Sequence, residues 1–235
     1  VHDVVAGLRA RRDPSVVHPL IPGRATLLDL RYNKAVTPSQ ELNPPALTEL
    51  WEQRWPECPP FAHWLRGRYP DRWVRFHSLP GSKRYADNET EYAIVLDRHH
   101  AVLSELDPGA VLLVVTSEWT EGPATTPQIW PRRSEIAPSA WHWQTLLEDP
   151  EEEPEHRTYT QLYAETIPWR RGAIDVLLRA VADDELANVI LAPTDLRWLY
   201  HPYDGGADVV LPTREQRDAL KAQHPEWLSQ QSSGL

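Results

Sequence analysis

The clearest alternation in the chain runs from Trp73 to Leu79. Val74, Phe76 and Ser78 fall on one side and Trp73, Arg75, His77 and Leu79 on the other, the period of a strand whose Val74–Phe76 face meets a core. Pro80-Gly81 forces a turn, and Ser82, Lys83 and Arg84 follow in a loop. Asn88 and Glu91 have the spacing of a capping box. They open a helix whose apolar face is Tyr92, Val95, Leu96, Val102, Leu103 and Leu106, stopped by Asp107-Pro108-Gly109. His99 lies on that apolar face and His100 is expected to be exposed. Ala110 to Thr116 is a β-branched apolar run, the pattern of a central strand buried on both faces. Strand, helix and strand in this order favour a parallel pair.

The remaining segments are weaker but readable. Val4, Val5 and Leu8, followed by Arg9, Arg11 and Arg12, predict a short helix, and Ala25 to Leu30 a strand. Asn43 caps a helix with Pro44 at its first position and Leu47, Leu50, Trp51 and Trp55 as its stripe. Phe61, Trp64 and Leu65 mark a further short helix. After a Pro-rich loop from Gly122 to Pro138, Trp141 to Leu147 and Arg157 to Ala164 alternate, with an acidic hairpin end between them. Trp169 to Val181 predicts a second amphipathic helix. Asn188–Ala192, Trp198–His201 and Asp208–Leu211 predict short strands, the last two joined by a turn in which Gly205-Gly206 supplies positive φ angles. Thr213 and Gln216 cap a final helix ending near His224-Pro225. The fold class that follows is α+β, a single domain with a mixed β-sheet flanked by helices. Residues 1–45 form an N-terminal helix and extended segment, and 46–235 the α+β domain.

Composition narrows the class of partner. The 235 residues carry a formal net charge of −10, which argues against nucleic acid, whose binding rests on clustered Lys and Arg. The charge is polarised. Arg66, Arg68, Arg72, Arg75, Lys83 and Arg84 stand against Asp71 alone between positions 66 and 85, whereas six of the eight residues from Glu148 to Glu155 are acidic. There are 11 Trp and only 2 Phe, so aromatic packing falls to indoles whose N–H groups need partners. A lone Cys58 excludes an internal disulfide. The longest strongly apolar run, Ala110 to Val115, is too short for a bilayer, and the first residues lack the apolar core of a signal peptide. A cytoplasmic protein with no membrane partner is expected. The chain has no Met, even at position 1, which allows for a segment preceding Val1.

RFHSLPGSKRY (Arg75 to Tyr85), the EYAIVLDRHHAVLSEL helix after it and HPYDGGADV (His201 to Val209) resemble a bacterial family known as domain of unknown function 3885. The resemblance covers Ala46 to Leu235. It implies fold boundaries and no catalytic residues.

The first motif is also the best candidate for a site. Arg75 and His77 project from one face of a strand, with Ser82, Lys83 and Arg84 just beyond its end. Lys83, Arg84 and Arg75 would neutralise a phosphate or carboxylate, Ser82 would hydrogen-bond it, and neutral His77 would act as catalytic acid or base. The simpler account is a solvated strand and loop with these cations paired to neighbours. The P-loop spacing is absent. His201, Asp204 and Asp208 are weak candidates for metal ligands, joined by His77 or by Glu89 and Glu91. The simpler account has Asp204 set a turn and Asp208 pair with an arginine. There is no HExxH, no Cys–His zinc spacing and no Gly-x-Ser-x-Gly elbow, and Cys58 lies among prolines. The sequence leaves any cofactor unknown.

Two functions follow. The leading one is a non-catalytic protein-binding domain of the immunity or interaction type, using its Trp-rich surface and acidic hairpin against a basic protein partner. The alternative is an enzyme acting on a small anionic ligand, phosphorylated or carboxylated, through Arg75, His77, Lys83 and Arg84.

Overall fold

The computed structural model describes residues 42–56, 58–123 and 135–229. The expected N-terminal helix and the strand at Ala25–Leu30 lie outside them. The described residues form one compact unit.

Among the described residues seven strands make one sheet: β1 (Trp73–His77), β2 (Val111–Thr120), β3 (Trp141–Leu147), β4 (Tyr159–Pro168), β5 (Ile190–Pro193), β6 (Leu199–Tyr203) and β7 (Gly206–Val210). Their order is β1-β7-β6-β5-β2-β4-β3. Every pairing is antiparallel, so the fold is α+β as expected but the sheet is not mixed. β1 and β2 do point the same way, yet β7, β6 and β5 lie between them. The helix that joins them explains how. At 18 residues (α3, Glu89–Leu106) it is about 27 Å long at ~1.5 Å per residue, and β2 lies four strand spacings, roughly 19 Å, from β1. The crossover is long enough to leave room for the β5–β6–β7 meander.

Helices cover both faces. Val74, Phe76, Leu112, Val114, Leu191, Tyr200 and Val209 pack against α3, α4 (Asp175–Ala182) and α5 (Arg214–Gln223). Leu113, Val115, Ile190, Leu199 and Val210 pack against α1 (Pro44–Arg54) and α2 (Leu65–Arg68). β2 alternates between the two cores, as its apolar run requires. Three caps hold helix ends as the sequence predicts: Asn43 accepts from the Ala46 N–H, Asn88 from Glu91 and Thr213 from Gln216. The Glu91 carboxylate, however, accepts from the N–H of Asp87 rather than that of Asn88.

Three local expectations are corrected. α4 begins at Asp175, not Trp169, because the Trp169 N–H still donates to Ala110 O at the end of the β2–β4 ladder (2.9 Å) and Gly172 turns the chain with φ +85°. His100 is buried, its Nε2 2.5 Å from Asp175 Oδ1, since α4 packs over that side of α3. Gly205 and Gly206 take no positive φ. What demands glycine is space: a Cβ on Gly206 would sit 2.0 Å from Phe76 O, and one on Gly205 3.1 Å from the Tyr203 ring.

Candidate functional site

The two motif stretches meet on neighbouring strands. Arg75 on β1 is opposite Asp208 on β7, which in turn is opposite His201 on β6. Arg75 Nε and Nη2 donate to Asp208 Oδ1 and Oδ2 at 2.7 and 2.8 Å, a bidentate fork. The guanidinium lies 4.8 Å from the Tyr203 ring centre and 5.5 Å from that of Trp73, within cation–π range. Burial works against its charge, but the hydrogen bonds and charge of Asp208 outweigh it and raise the Arg75 pKa above that of a free arginine. Burial, with the charges of Arg75 and Arg98, lowers the pKa of His77 and keeps it neutral. Lys83 Nζ donates to Asp87 at 2.7 Å and to both oxygens of Glu91 at 2.6 and 2.5 Å. Arg84 Nε donates to Asp204 at 2.5 Å. Ser82 sits in the left-handed region, φ +58°, after Gly81 at +67°. The structure thus brings Arg75 and His77 onto one strand face and ties Arg75, Lys83 and Arg84 each to carboxylates of this chain.

The metal candidates do not assemble. Asp208 and Asp204 are engaged by arginines, Glu91 by Lys83 and Glu89 by Arg179, and His201 Nδ1–H donates to Val189 O at 2.9 Å. Among the described residues no group of three His, Cys, Asp or Glu side chains could hold a metal ion.

On the opposite face a polar chain crosses the core. Ser78 Oγ is 3.4 Å from His99 Nε2, and His99 Nδ1 is 2.6 Å from the Tyr200 hydroxyl. The order mimics a nucleophile with its base, but all three are buried and the adjoining void is about 10 Å³, space for one water. Burial lowers the His99 pKa to about 3. This array lies buried where β1, β6 and α3 pack together.

Among the described residues an open concavity lies elsewhere, on the face covered by α1 and α2. The β3–β4 hairpin forms as predicted, and its acidic end faces the segment between α1 and α2. Phe61, His63 and Trp64 on one side and Glu148, Asp149, Glu152, His156 and Thr158 on the other enclose about 320 Å³, within the roughly 300–1,000 Å³ of ligand cavities. The Phe61 and Trp64 ring centres are 4.9 Å apart, with His63 edge-on to Trp64, and Trp64 is 45% exposed. Asn188 Oδ1 fixes His63 through Nδ1 at 2.9 Å. Thr160 and Thr158 hydroxyls donate to the two Glu148 oxygens at 2.6 and 3.2 Å, orienting the carboxylate. Among the described residues no Lys or Arg side chain forms an ion pair with the carboxylates of residues 148–155; Arg157 donates instead to the carbonyls of Glu152 and Pro150. Arranged this way, aromatic faces and carboxylates without an ion pair to a described Lys or Arg favour a cation. Sequence reasoning found the acidic half but not its aromatic wall. The only signal there was the spacing of Phe61 and Trp64, which reads equally as a helix stripe.

A second concavity of about 370 Å³ adjoins it, lined by Thr48, Trp51, Glu52, Trp55, Cys58, Pro59, Pro60, Gln144 and Leu146. Burial pushes the Cys58 thiol up to about 11, so it carries no thiolate chemistry at neutral pH.

Among the described residues no helix is long and apolar enough to cross a membrane. Comparison with curated proteins and with solved structures gives no match to this chain. The family model described as a domain of unknown function, DUF3885, matches residues 61–232, spanning β1, α3 and the β6–β7 hairpin that carry the two motifs, and the chain belongs to that family.

Proposed function

We propose that this chain is a non-catalytic protein-binding domain that receives a basic partner in the acid–aromatic groove between residues 61–64 and the β3–β4 hairpin. The carrying observation is that groove: Phe61 and Trp64, tilted against each other, opposite Glu148, Asp149 and Glu152, with which no described Lys or Arg side chain forms an ion pair. The surrounding surface supports the reading. Trp119 is 52% exposed and lies in one row with Thr160 and Leu146 across β2, β4 and β3, so a second aromatic stands on the same face as the groove. Such a surface suits an inhibitor of the immunity type that covers a cationic enzyme face, with the carboxylates steering encounter and the indoles supplying buried contact.

The alternative, an enzyme that holds a phosphate or carboxylate with Arg75, Ser82, Lys83 and Arg84 and uses His77 as acid or base, requires each cation to exchange a carboxylate of its own chain for the ligand. The two-carboxylate grip on Lys83 and the fork on Arg75 favour the binding reading.

The test is a fluorescence-anisotropy titration with a labelled hexa-arginine peptide. Asp149→Asn with Glu152→Gln removes two charges from the groove, and Glu215→Gln with Asp218→Asn removes two from α5. The groove variant should weaken binding about tenfold, the loss of roughly 1.4 kcal/mol, and the α5 variant far less. Equal weakening by both would mean that the peptide senses only net charge.

A further inference from the structure

The sheet ends in β1 on one side and β3 on the other, and the two edges are treated differently. At β1, Leu211 N–H donates to Arg72 O and Ser78 N–H to Gly205 O. The alternation of an antiparallel ladder therefore turns the backbone groups of Val74 and Phe76 toward β7 and those of Trp73, Arg75 and His77 outward. The outward carbonyls of Trp73 and His77 are taken by Arg217 Nη1 at 3.2 Å and Arg98 Nη1 at 2.7 Å. Basic side chains laid along an edge in this way oppose the addition of a further strand.

β3 has no such guard. On its inner side Glu148 N–H donates to Thr158 O, which by the same alternation turns Gln144 and Leu146 toward β4 and Thr145 and Leu147 outward. Among the described residues no hydrogen bond reaches the outward N–H and C=O groups of Thr145 and Leu147. The strand, WHWQTLL, also lacks the Lys, Asp, Glu, Gly or Pro that would blunt an edge. A bulge between His142 and Gln144 interrupts the ladder at one end, and the acidic run begins at Glu148 at the other. The pairable stretch is residues 144–148.

We infer that this edge takes a second copy of the chain, β3 against β3, antiparallel about a two-fold axis at Leu146. The surface is then self-complementary, as an isologous contact requires. Thr145 of each copy stands opposite Leu147 of the other, and because both face outward each such pair exchanges N–H···O bonds. Leu146 meets its own copy as the close, non-hydrogen-bonded pair between them, with Cα atoms about 4.5 Å apart. Gln144 comes opposite the second copy's Glu148, an amide beside a carboxylate. The two acidic runs point in opposite directions along the seam, so their like charges stay apart. α1 packs on β3 through Trp51 and Thr48 against Trp143, three residues before the axis. The two α1 helices therefore sit at opposite ends of the seam, about 20 Å apart along it, and leave it open. The neighbouring registers are poorer: an axis at Thr145 sets Trp143, at the bulge, against Leu147, and one at Leu147 sets Asp149 against Thr145. The axis at Leu146 uses both outward residues.

The test is sedimentation of the full chain, with cysteine crosslinking to read the register. The chain should be monomeric at about 5 µM and dimeric at about 0.5 mM, the weak range of small interfaces. Leu146→Cys should form a disulfide-linked dimer on mild oxidation, since the paired Cα atoms lie within the roughly 4.4–6.8 Å that a disulfide spans. Gln144→Cys should not, its two copies being about 14 Å apart along the strand. The parent chain, whose Cys58 is buried, is the blank. Leu146→Lys sets two like charges face to face at the axis, and Leu147→Pro deletes an outward N–H that the chain itself does not use. Each should raise the dimer dissociation constant at least about tenfold with the melting temperature at 5 µM unchanged; should one of them fold poorly, the other and the cysteine pair decide. A monomer at every concentration would overturn the inference and leave the edge to a strand of some other protein. A dimer that survives both Leu146→Lys and Leu147→Pro, or Gln144→Cys crosslinking as readily as Leu146→Cys, would overturn it as well. None of these outcomes bears on the acid–aromatic groove.

Discussion

His99 should make this protein acid-sensitive by a calculable amount. The imidazole is fully enclosed between Ser78 on the β1 exit and Tyr200 on β6, with His100 and Arg98 as the nearest charged or titratable groups on its own helix. Burial first, and the neighbouring His100 second, lower its pKa from 6.5 to about 3. The folded state therefore refuses a proton that the unfolded chain accepts below pH 6.5. The stability this represents is complete above pH 6.5 and is lost as pH falls toward 3. One proton corresponds to 1.36 kcal/mol per pH unit, so lowering the pH from 6.5 to 4.5 should cost about 2.7 kcal/mol at this residue. Burial lowers the pKa of His201 and His77 as well, and both add to the loss with the same sign. His99→Gln isolates the residue: the amide can still pair with Tyr200 but cannot titrate. Urea unfolding followed by Trp fluorescence at pH 7.5 and 4.5 gives both stabilities. The variant should be less stable at pH 7.5 by about 1–3 kcal/mol, the cost of imperfectly paired buried groups, and the gap should close or reverse at pH 4.5. A gap that stays constant within about 0.5 kcal/mol, the usual error of additivity, would refute the reasoning.

Other outcomes follow from the meeting of the two motifs. Arg75→Met leaves Asp208 buried without its fork and should cost about 3 kcal/mol or more, while Arg75→Met with Asp208→Leu should recover at least about half of that in thermal denaturation; no recovery would mean the charges contribute little beyond packing. Gly206→Ala drives a Cβ toward Phe76 O, 2.0 Å away in the present backbone, and should lower the melting temperature by about 10 °C, corresponding to roughly 3 kcal/mol; a fall of only a degree or two would show that β1 and β7 can separate at little cost. Inorganic phosphate should not raise the melting temperature, because Lys83 is held by Asp87 and Glu91. A rise of about 3 °C, as expected for ligand at roughly ten times its Kd, abolished by Lys83→Ala, would instead favour an anion site in that loop.

Local chemistry was legible in the sequence and long-range placement was not. The caps at Asn43, Asn88 and Thr213 act within three residues, and the alternation of Val74 and Phe76 states which face of β1 is buried. The β3–β4 hairpin announced itself through alternation on both sides of an acidic run. Strand neighbours are different. Nothing in the order β1-α3-β2 says that β5, β6 and β7 will insert between its strands, and the parallel expectation failed there. His100 was placed outside by helical periodicity, which knows nothing of α4 arriving 75 residues later to supply Asp175. Gly205-Gly206 in sequence suggests a need for positive φ, whereas the requirement at Gly206 is the approach of the Phe76 carbonyl on another strand. The groove illustrates the same limit: Phe61, His63 and Trp64 gain meaning only when the hairpin end brings Glu148, Asp149 and Glu152 opposite them.

The most direct test of the binding groove reads its aromatic wall. In ¹⁵N-resolved NMR spectra the indole N–H signals of the Trp residues, assigned by substitution, report separately on Trp64 in the groove and on Trp227, which packs beside Arg98 on the opposite face of the sheet. Titration with hexa-arginine should move the Trp64 signal saturably and leave Trp227 in place, and Asp149→Asn with Glu152→Gln should suppress the movement. Shifts of equal size at both indoles, or a Trp64 signal that stays still while the peptide binds, would contradict the assignment of the groove as the binding site.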